Sequence, residues 1–334
     1  MDKGMIFVVG NSRCGTTLMG RIFGAHSQVF MFKELKFLDE RWPSAKTDKL
    51  SEPSSISLIA KLMAHQGGSK SSYQATDVFW DEATQLVQQI KPPVNKWTLF
   101  KEFMMHEAQK SGAAIPCEQT PRNLLFAREI LDNYPTAHII AMVRDPRDVL
   151  LSQKYRWRRY YLGKKGGHPI KGSLSAWANY HPILSSLISA KNASIIRDLA
   201  TLKRISIVQY ENLVSEPEKV IRDICSKLDL SFEPSMLKVP HKGSSHLSYK
   251  YSESRYISDI HVGKWRSGKL TQSELWLCER ITGNHMNHFS YLTESQKWPG
   301  IGVGVLVITL FGKLLAAACL NNRRIHKLRT YFRS

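Results

Sequence analysis

Met5-Ile6-Phe7-Val8-Val9-Gly10-Asn11-Ser12-Arg13-Cys14-Gly15-Thr16-Thr17-Leu18-Met19 begins as a short apolar run and stops at a glycine. A second glycine follows at 15, then two threonines, then an apolar helical pattern. The run predicts a buried parallel strand, and the pattern from Leu18 to His26 predicts a helix. Strand, glycine-bounded loop and helix start are the parts of an anion cradle. The glycines let the backbone curl, the loop N–H groups converge, and the helix adds the positive end of its dipole. The spacing approaches the triphosphate loop G-x-x-x-x-G-K-[ST], but threonine stands at 16 in place of lysine. The loop's cation comes earlier, at Arg13.

The rest of the chain points the same way. Lys and Arg number 47 against 28 Asp and Glu, a net charge of +19, which calls for an anionic partner without choosing one. At 334 residues the chain can bury a large core as one α/β domain or two smaller ones. Cys14, Cys117, Cys225, Cys278 and Cys319 are scattered with no C-x-x-C pair, as expected of reduced thiols in the cytoplasm. The first core strand begins near residue 5, so no signal peptide is expected before it.

Further elements read as β and α in alternation. Ser27–Phe32 is a second strand, followed by the charged stretch Lys33 to Glu40. Residues 42–75 suggest a helical excursion, Asp77–Ile90 a helix closed by Pro92-Pro93, and Trp97–Phe103 either a strand or a helix start. A strand-like run ends at Glu118; Thr120 and Pro121 then read as N-cap and first residue of a helix to about Tyr134. His138–Val143 is a buried strand ending in Arg144, with Asp145 as cap and Pro146 opening the next helix. Residues 153–172 are basic and aromatic (Lys154, Arg156, Trp157, Arg158, Arg159, Tyr160, Tyr161, Lys164, Lys165), either a solvated helix end or a lid facing an anion. Helices are expected over Leu174–Lys191, Ile195–Leu202 and Glu218–Leu228, and a strand over Ile205–Tyr210. A polar loop over 238–262 leads to Gly263-Lys264-Trp265-Arg266, and Thr271 with Glu274 forms a capping box for a helix to about Ile281. The fold class is α/β: a P-loop-like doubly wound parallel sheet flanked by helices, a single domain over 1–295, with a C-terminal apolar helix in 296–334.

Taken in order, Gly10–Met19, Lys33-Glu34, Glu118–Asn123, Val143–Ser152, Tyr210-Glu211-Asn212-Leu213 with Pro217, and Gly263–Arg266 make the chain resemble a sulfotransferase that uses 3′-phosphoadenosine 5′-phosphosulfate, PAPS. The likeness is to the bacterial, carbohydrate and tyrosylprotein branch and spans roughly residues 5–292. It implies that Asn11, Ser12, Arg13, Cys14, Gly15, Thr16 and Thr17 cradle the 5′-phosphosulfate, with Arg13 neutralising charge on the leaving phosphate. Arg144 and Ser152 would hold the 3′-phosphate, and Gly263, Lys264, Trp265 and Arg266 would fold over the nucleotide through backbone N–H groups and Arg266, with Trp265 packing. Glu34 would be the base, a carboxylate buried near the substrate with a raised pKa, with Lys33 or Lys36 on the leaving sulfate oxygens. Glu118 would orient Arg13 or the acceptor. The co-substrate would be PAPS, the product adenosine 3′,5′-bisphosphate, and no metal is expected.

Blander readings accompany several of these residues. Thr16 and Thr17 could be simple helix caps, Arg144 a partner of Asp148, Ser152 an exposed helix serine, Glu34 a partner of a lysine and Glu118 a cap. His26, His106 and His181 are rival bases, and Cys14 a rival nucleophile. The alternative function is a P-loop nucleotide or small-molecule kinase. The expected acceptor is a hydroxyl-bearing glycan or lipid-linked glycan, and no nucleic acid. Ile301–Leu320 is apolar apart from Lys313, and Arg323, Arg324, Lys327, Arg329 and Arg333 follow it. The segment reads as an interfacial or re-entrant helix docking on an anionic membrane surface, as a span, or as a helix buried in the domain or in an oligomer. The expected location is cytoplasmic, peripheral on the cytoplasmic membrane face.

Overall fold

The apolar run is β1 (Ile6–Gly10), buried along its length. It is the middle strand of a five-stranded parallel sheet in the order β2-β3-β1-β4-β5. The other strands are β2 (Val29–Met31), β3 (Ile115–Glu118), β4 (His138–Val143) and β5 (Ile205–Gln209). The computed structural model describes residues 4–38, 50–67, 77–91, 94–161, 169–239, 257–294 and 297–320. Lys164, Lys165, most of the 238–262 loop, parts of 42–75, Pro92-Pro93 and the basic tail from Arg323 lie outside the described residues.

Side-chain alternation splits β1 between two cores. Phe7 and Val9 enter one cluster with Phe32, Ile59, Phe100 and Ile139; Ile6 and Val8 enter the other with Met19, Ile22, Ile140 and Leu213. Helices cover both faces. In chain order they are α1 (Thr16–Phe23), α2 (Glu52–Gln66), α3 (Asp77–Gln89), α4 (Lys96–Lys110), α5 (Ala127–Asn133), α6 (Pro146–Lys154), α7 (Arg158–Tyr161) and α8 (Pro169–Ala178). Then come α9 (Pro182–Leu199), α10 (Tyr210–Ser215), α11 (Pro217–Lys227), α12 (Gln272–His288) and α13 (Ile301–Leu320). After β1 the chain moves to the β3 side, then returns to the β4 side. The carboxyl ends of β1 and its neighbours therefore meet at the topological switch point, where open α/β sheets bind ligands.

Local rules place most boundaries. β4, the Asp145–Pro146 helix start and the Thr271–Glu274 capping box stand where the sequence puts them. Trp97–Phe103 resolves as helix because Asn95 Oδ1 accepts the N–H groups of Trp97 and Thr98 at 2.9 and 3.0 Å. Three expectations are corrected. The helices expected at Leu174–Lys191 and Ile195–Leu202 are α8 and α9, divided at the extended His181 before Pro182, with α9 continuous through Ile195. The helix expected from Thr120 is a 3₁₀ turn, Pro121–Phe126, followed by α5, because the Thr120 hydroxyl donates to Glu118 and does not cap. α12 runs past Ile281 to His288.

Candidate active site

The Gly10–Thr17 loop leaves β1 and turns into α1 through two backbone positions that favour glycine. Gly15 has φ 101°, and a Cβ there would lie 2.6 Å from the Tyr210 ring. Gly10 presses against the Met142 carbonyl, 2.5 Å from where a Cβ would be. Arg13 adopts φ 81°, a left-handed conformation rare for a residue with a side chain. Neighbours hold it there. Its carbonyl accepts from Arg144 Nη1 at 3.1 Å, and its own Nε donates to Ser152 Oγ at 2.8 Å. Asn11 Nδ2 donates to Ser189 Oγ at 2.7 Å, and Gln153 Nε2 to the Ser12 carbonyl at 3.3 Å. Thr16 is buried; Ser12 and Thr17 are exposed. Intrahelical bonding begins with Leu18 N–H to the Gly15 carbonyl, so the Thr16 and Thr17 amides form the first turn of α1, while Cys14 N–H before them is bonded to the Asn11 carbonyl at 3.2 Å. Cys14 is buried with Sγ 2.6 Å from the Asn11 carbonyl, and burial pushes its thiol up to about 12, which suits packing and not nucleophilic attack.

Arg144 follows β4 and bonds two carbonyls, Arg13 and His261, while its guanidinium stacks 4.3 Å from the Tyr210 ring centre. The expected pairing with Asp148 is present but long, at 3.7 Å. Asp148 has another task. Its Oδ2 accepts Gly263 N–H at 2.8 Å and its Oδ1 accepts Trp265 N–H at 2.9 Å. Those two amides, expected to face a phosphate, are turned onto a side chain of α6 instead. Burial pushes the Asp148 carboxyl up to about 6, against the pull of Arg144 and the two amides. Trp265 packs in a small core with Leu150, Leu151 and Cys278, and lies under the Arg147 guanidinium at 3.8 Å. Arg147, itself buried, bonds Asp145, Glu279 Oε1 at 2.7 Å and the Leu292 carbonyl at 2.9 Å. Arg266 is exposed and pairs with Glu294; Lys264 has its pKa lowered by burial and by Lys269.

The Lys33-Glu34 stretch leaves β2 on the same sheet edge. Phe32, Leu35 and Phe37 are buried, and Lys33 and Glu34 point outward between them. Glu34 is exposed, not buried as the base expectation has it. Lys33 Nζ donates to the Gln66 carbonyl at 2.6 Å, which directs it to α2. The buried carboxylate here is Glu118. It accepts Leu35 N–H at 3.2 Å, Thr120 N–H at 3.0 Å and Asn123 Nδ2 at 2.6 Å, plus the Thr120 hydroxyl. Thr120 Oγ1 in turn accepts Lys36 N–H at 3.1 Å, at a residue with φ 53°. Glu118 thus braces the backbone that carries Glu34 through its hydrogen bonds to Leu35, Thr120 and Asn123. Burial pushes its carboxyl up to about 7, with the Glu34 charge adding to the rise.

The rival bases are occupied elsewhere. His26 Nε2 meets the Ser231 carbonyl, His106 meets Glu82 at 2.7 Å, and His181 meets the Leu306 carbonyl at 3.0 Å. Among the described residues, the one group with metal-ligand geometry is Glu82, His106 and Glu107 on α3 and α4, where Lys110 Nζ lies 2.6 Å from Glu82. Sequence reasoning missed Arg147, Asp148, Thr120, Tyr210 and Glu211 as parts of the site. Glu211 accepts Asp145 N–H at 3.0 Å and the Tyr291 hydroxyl at 2.8 Å, fixing the turn after β4. The available signal was polar residues inside otherwise buried strings.

A model of the sulfotransferase family matches residues 5–234. The chain is 20% identical to the sulfotransferase domain from the curacin biosynthetic pathway, covering 87% of this chain and 99% of that one with a TM-score of 0.51. It is similarly 20% identical to the sulfotransferase domain of the Synechococcus PCC 7002 olefin synthase, over 87% and 96%, with a TM-score of 0.50. At that identity the likeness is one of fold. Among curated sequences it is 25% identical over 190 residues to sulfotransferase 2A6 of Rattus norvegicus, 54% of this chain and 60% of the relative. It is 22% identical over 250 residues to an uncharacterized protein of Aquifex aeolicus, 71% of this chain and 27% of the relative. The chain therefore spans less than two thirds of the length of both of these curated relatives.

Proposed function

Because the chain belongs to the sulfotransferase family, we propose that it moves the sulfuryl group of PAPS to a hydroxyl acceptor and releases adenosine 3′,5′-bisphosphate. The sulfur–oxygen bond to the 5′-phosphate breaks as the acceptor oxygen bonds to sulfur in line with it. Glu34 takes the acceptor proton, and Arg13 with the first-turn amides of α1 receives the charge left on the phosphate. Arg144 and Ser152 hold the 3′-phosphate together with Lys264 on the 263–266 turn, whose shape Asp148 fixes, while Arg266 stays on Glu294. No step is assigned to a metal. The observation that carries the reading is the Arg13–Ser152 hydrogen bond, 2.8 Å across 139 positions of sequence. It joins the two anion motifs into one cluster, as a ligand with anions at both ends requires.

The acceptor we favour is a glycan or lipid-linked glycan, because the Glu34 loop opens to solvent and the resemblance is to the carbohydrate-type branch. The 1–295 unit carries this chemistry, and 296–334 docks it on an anionic membrane surface. Among the described residues no helix is long and apolar enough to cross a membrane. Calorimetry decides the ligand: adenosine 3′,5′-bisphosphate binds without Mg²⁺, and preference for ATP with Mg²⁺ rejects the reading in favour of the kinase. Glu34→Gln lowers transfer about 10³-fold with nucleotide binding intact; full activity in that variant removes the base assignment.

A further inference from the structure

α13 packs against α8, α9 and α12 along one side only. Val303 and Ala317 are buried against the domain, and His181 holds the Leu306 carbonyl. The opposite side carries Ile301, Val305, Ile308, Phe311 and Leu315, spaced three or four residues apart in a single stripe. All are exposed, Ile301 by 87% and Ile308 by 74%. A helix exposed on one side normally turns polar residues there; this one does not.

α8 repeats the pattern beside it. Ile170, Leu174 and Trp177 fall at i, i+4 and i+7 and are exposed by 63%, 50% and 53%. Lys313 ties the two helices together: its Nζ donates to the Trp177 carbonyl at 3.0 Å and sits 3.0 Å from the Trp177 ring centre. α8 is also linked to the site. Tyr160 of α7 packs against Gly172, and α7 follows the α6 helix that bears Asp148 and Ser152.

We infer that α8 and α13 form one composite apolar face that seats on an anionic lipid bilayer, with α8 an obligatory half of it. The inference rests on the proposed docking of the C-terminal segment and adds the surface that does it. An anionic bilayer is chosen over another protein by charge. Arg323, Arg324, Lys327, Arg329 and Arg333 follow α13 directly in the sequence of a chain of net charge +19. An apolar face followed in the sequence by a basic segment, with a tryptophan beside a lysine, suits the boundary between acyl chains and an anionic headgroup layer.

Flotation of the full chain with vesicles tests this. We expect binding to phosphatidylglycerol-containing vesicles and not to pure phosphatidylcholine. Each of two pairs, Ile170→Ser with Trp177→Ser and Ile308→Ser with Phe311→Ser, lowers partitioning at least about 10-fold. Retained binding of adenosine 3′,5′-bisphosphate shows that the variants are folded. Trp177→Phe, which keeps the apolar surface, still floats but loses part of the tryptophan quenching by brominated lipid. If wild type floats and the α8 pair floats equally well, the composite face is wrong while docking by the C-terminal segment stands. If wild type does not float with anionic vesicles, the docking reading fails and the inference with it. A wild-type dimer that both pairs convert to monomer, with no vesicle binding, assigns the face to a second copy and overturns the proposal.

Discussion

The two halves of the candidate site are built differently. On the nucleotide side, Arg13, Arg144, Ser152, Asp148 and the 263–266 turn are joined to one another by hydrogen bonds and the Arg144–Asp148 ion pair, and Arg144 and Asp148 are largely buried. On the acceptor side, the backbone of residues 33–37 is braced by Glu118 and Thr120, while Glu34 projects into solvent. One half is preorganised in its side chains, the other only in its backbone. A nucleotide of fixed shape rewards the first arrangement, since little ordering entropy remains to be lost on binding. An acceptor that brings its own surface is served by the second, because it completes the environment of Glu34 as it docks.

The largest blow to this contrast comes from the nucleotide half. Arg13→Ala lowers transfer from PAPS about 10²–10³-fold, read as initial rates at saturating nucleotide; a loss confined to nucleotide affinity would reduce Arg13 to a binding group. Next is the brace. The raised Glu118 carboxyl binds its proton more tightly in the folded than in the unfolded chain. Its contribution to stability is therefore fully present below pH 4.5 and is lost as pH rises through about 7. His138 and His285, pushed down to about 4 by burial, run the opposite way between pH 4 and 6.5, so the wild type alone is not diagnostic. The stability difference between wild type and Glu118→Gln, from urea melts, shrinks by roughly 3 kcal/mol from pH 4.5 to above 7. A constant difference would contradict burial as the cause.

Smaller effects separate the groups within the nucleotide half. Asp148→Asn turns an amide N–H toward one of the two loop amides and weakens adenosine 3′,5′-bisphosphate about 10-fold by calorimetry. Unchanged affinity would mean that the 263–266 turn holds its shape alone. Arg266→Ala costs no more than about threefold in the same titration, because that side chain is exposed and already shared with Glu294. A larger loss would show that Arg266 leaves Glu294 for the nucleotide.

Much of this was legible from local rules. Gly10 and Gly15 announce the loop, the apolar runs at 6–9 and 138–143 announce adjacent buried strands, and Asp145-Pro146 announces a helix start. Such features depend on neighbours a few positions away. The roles of Asp148 and Glu118 were not legible, because their partners lie 115 and 83 positions away, at Gly263 and Leu35. The break at Pro182 could be read from its ring, yet the periodicity of flanking apolar residues concealed it.

Short-range patterns in the chain were enough to read an α/β fold, a glycine-bounded anion loop lacking the lysine of a triphosphate site, and a motif order resembling a sulfotransferase. Periodicity, caps and loop glycines act over one or two turns, and that range suffices for such features. Tertiary structure decided which carboxylate is buried, which amides a side chain already takes, and which apolar helix faces stay exposed. Each of those is a competition between groups distant in the chain, settled only when the sheet brings its carboxyl edges together and the helices close over them.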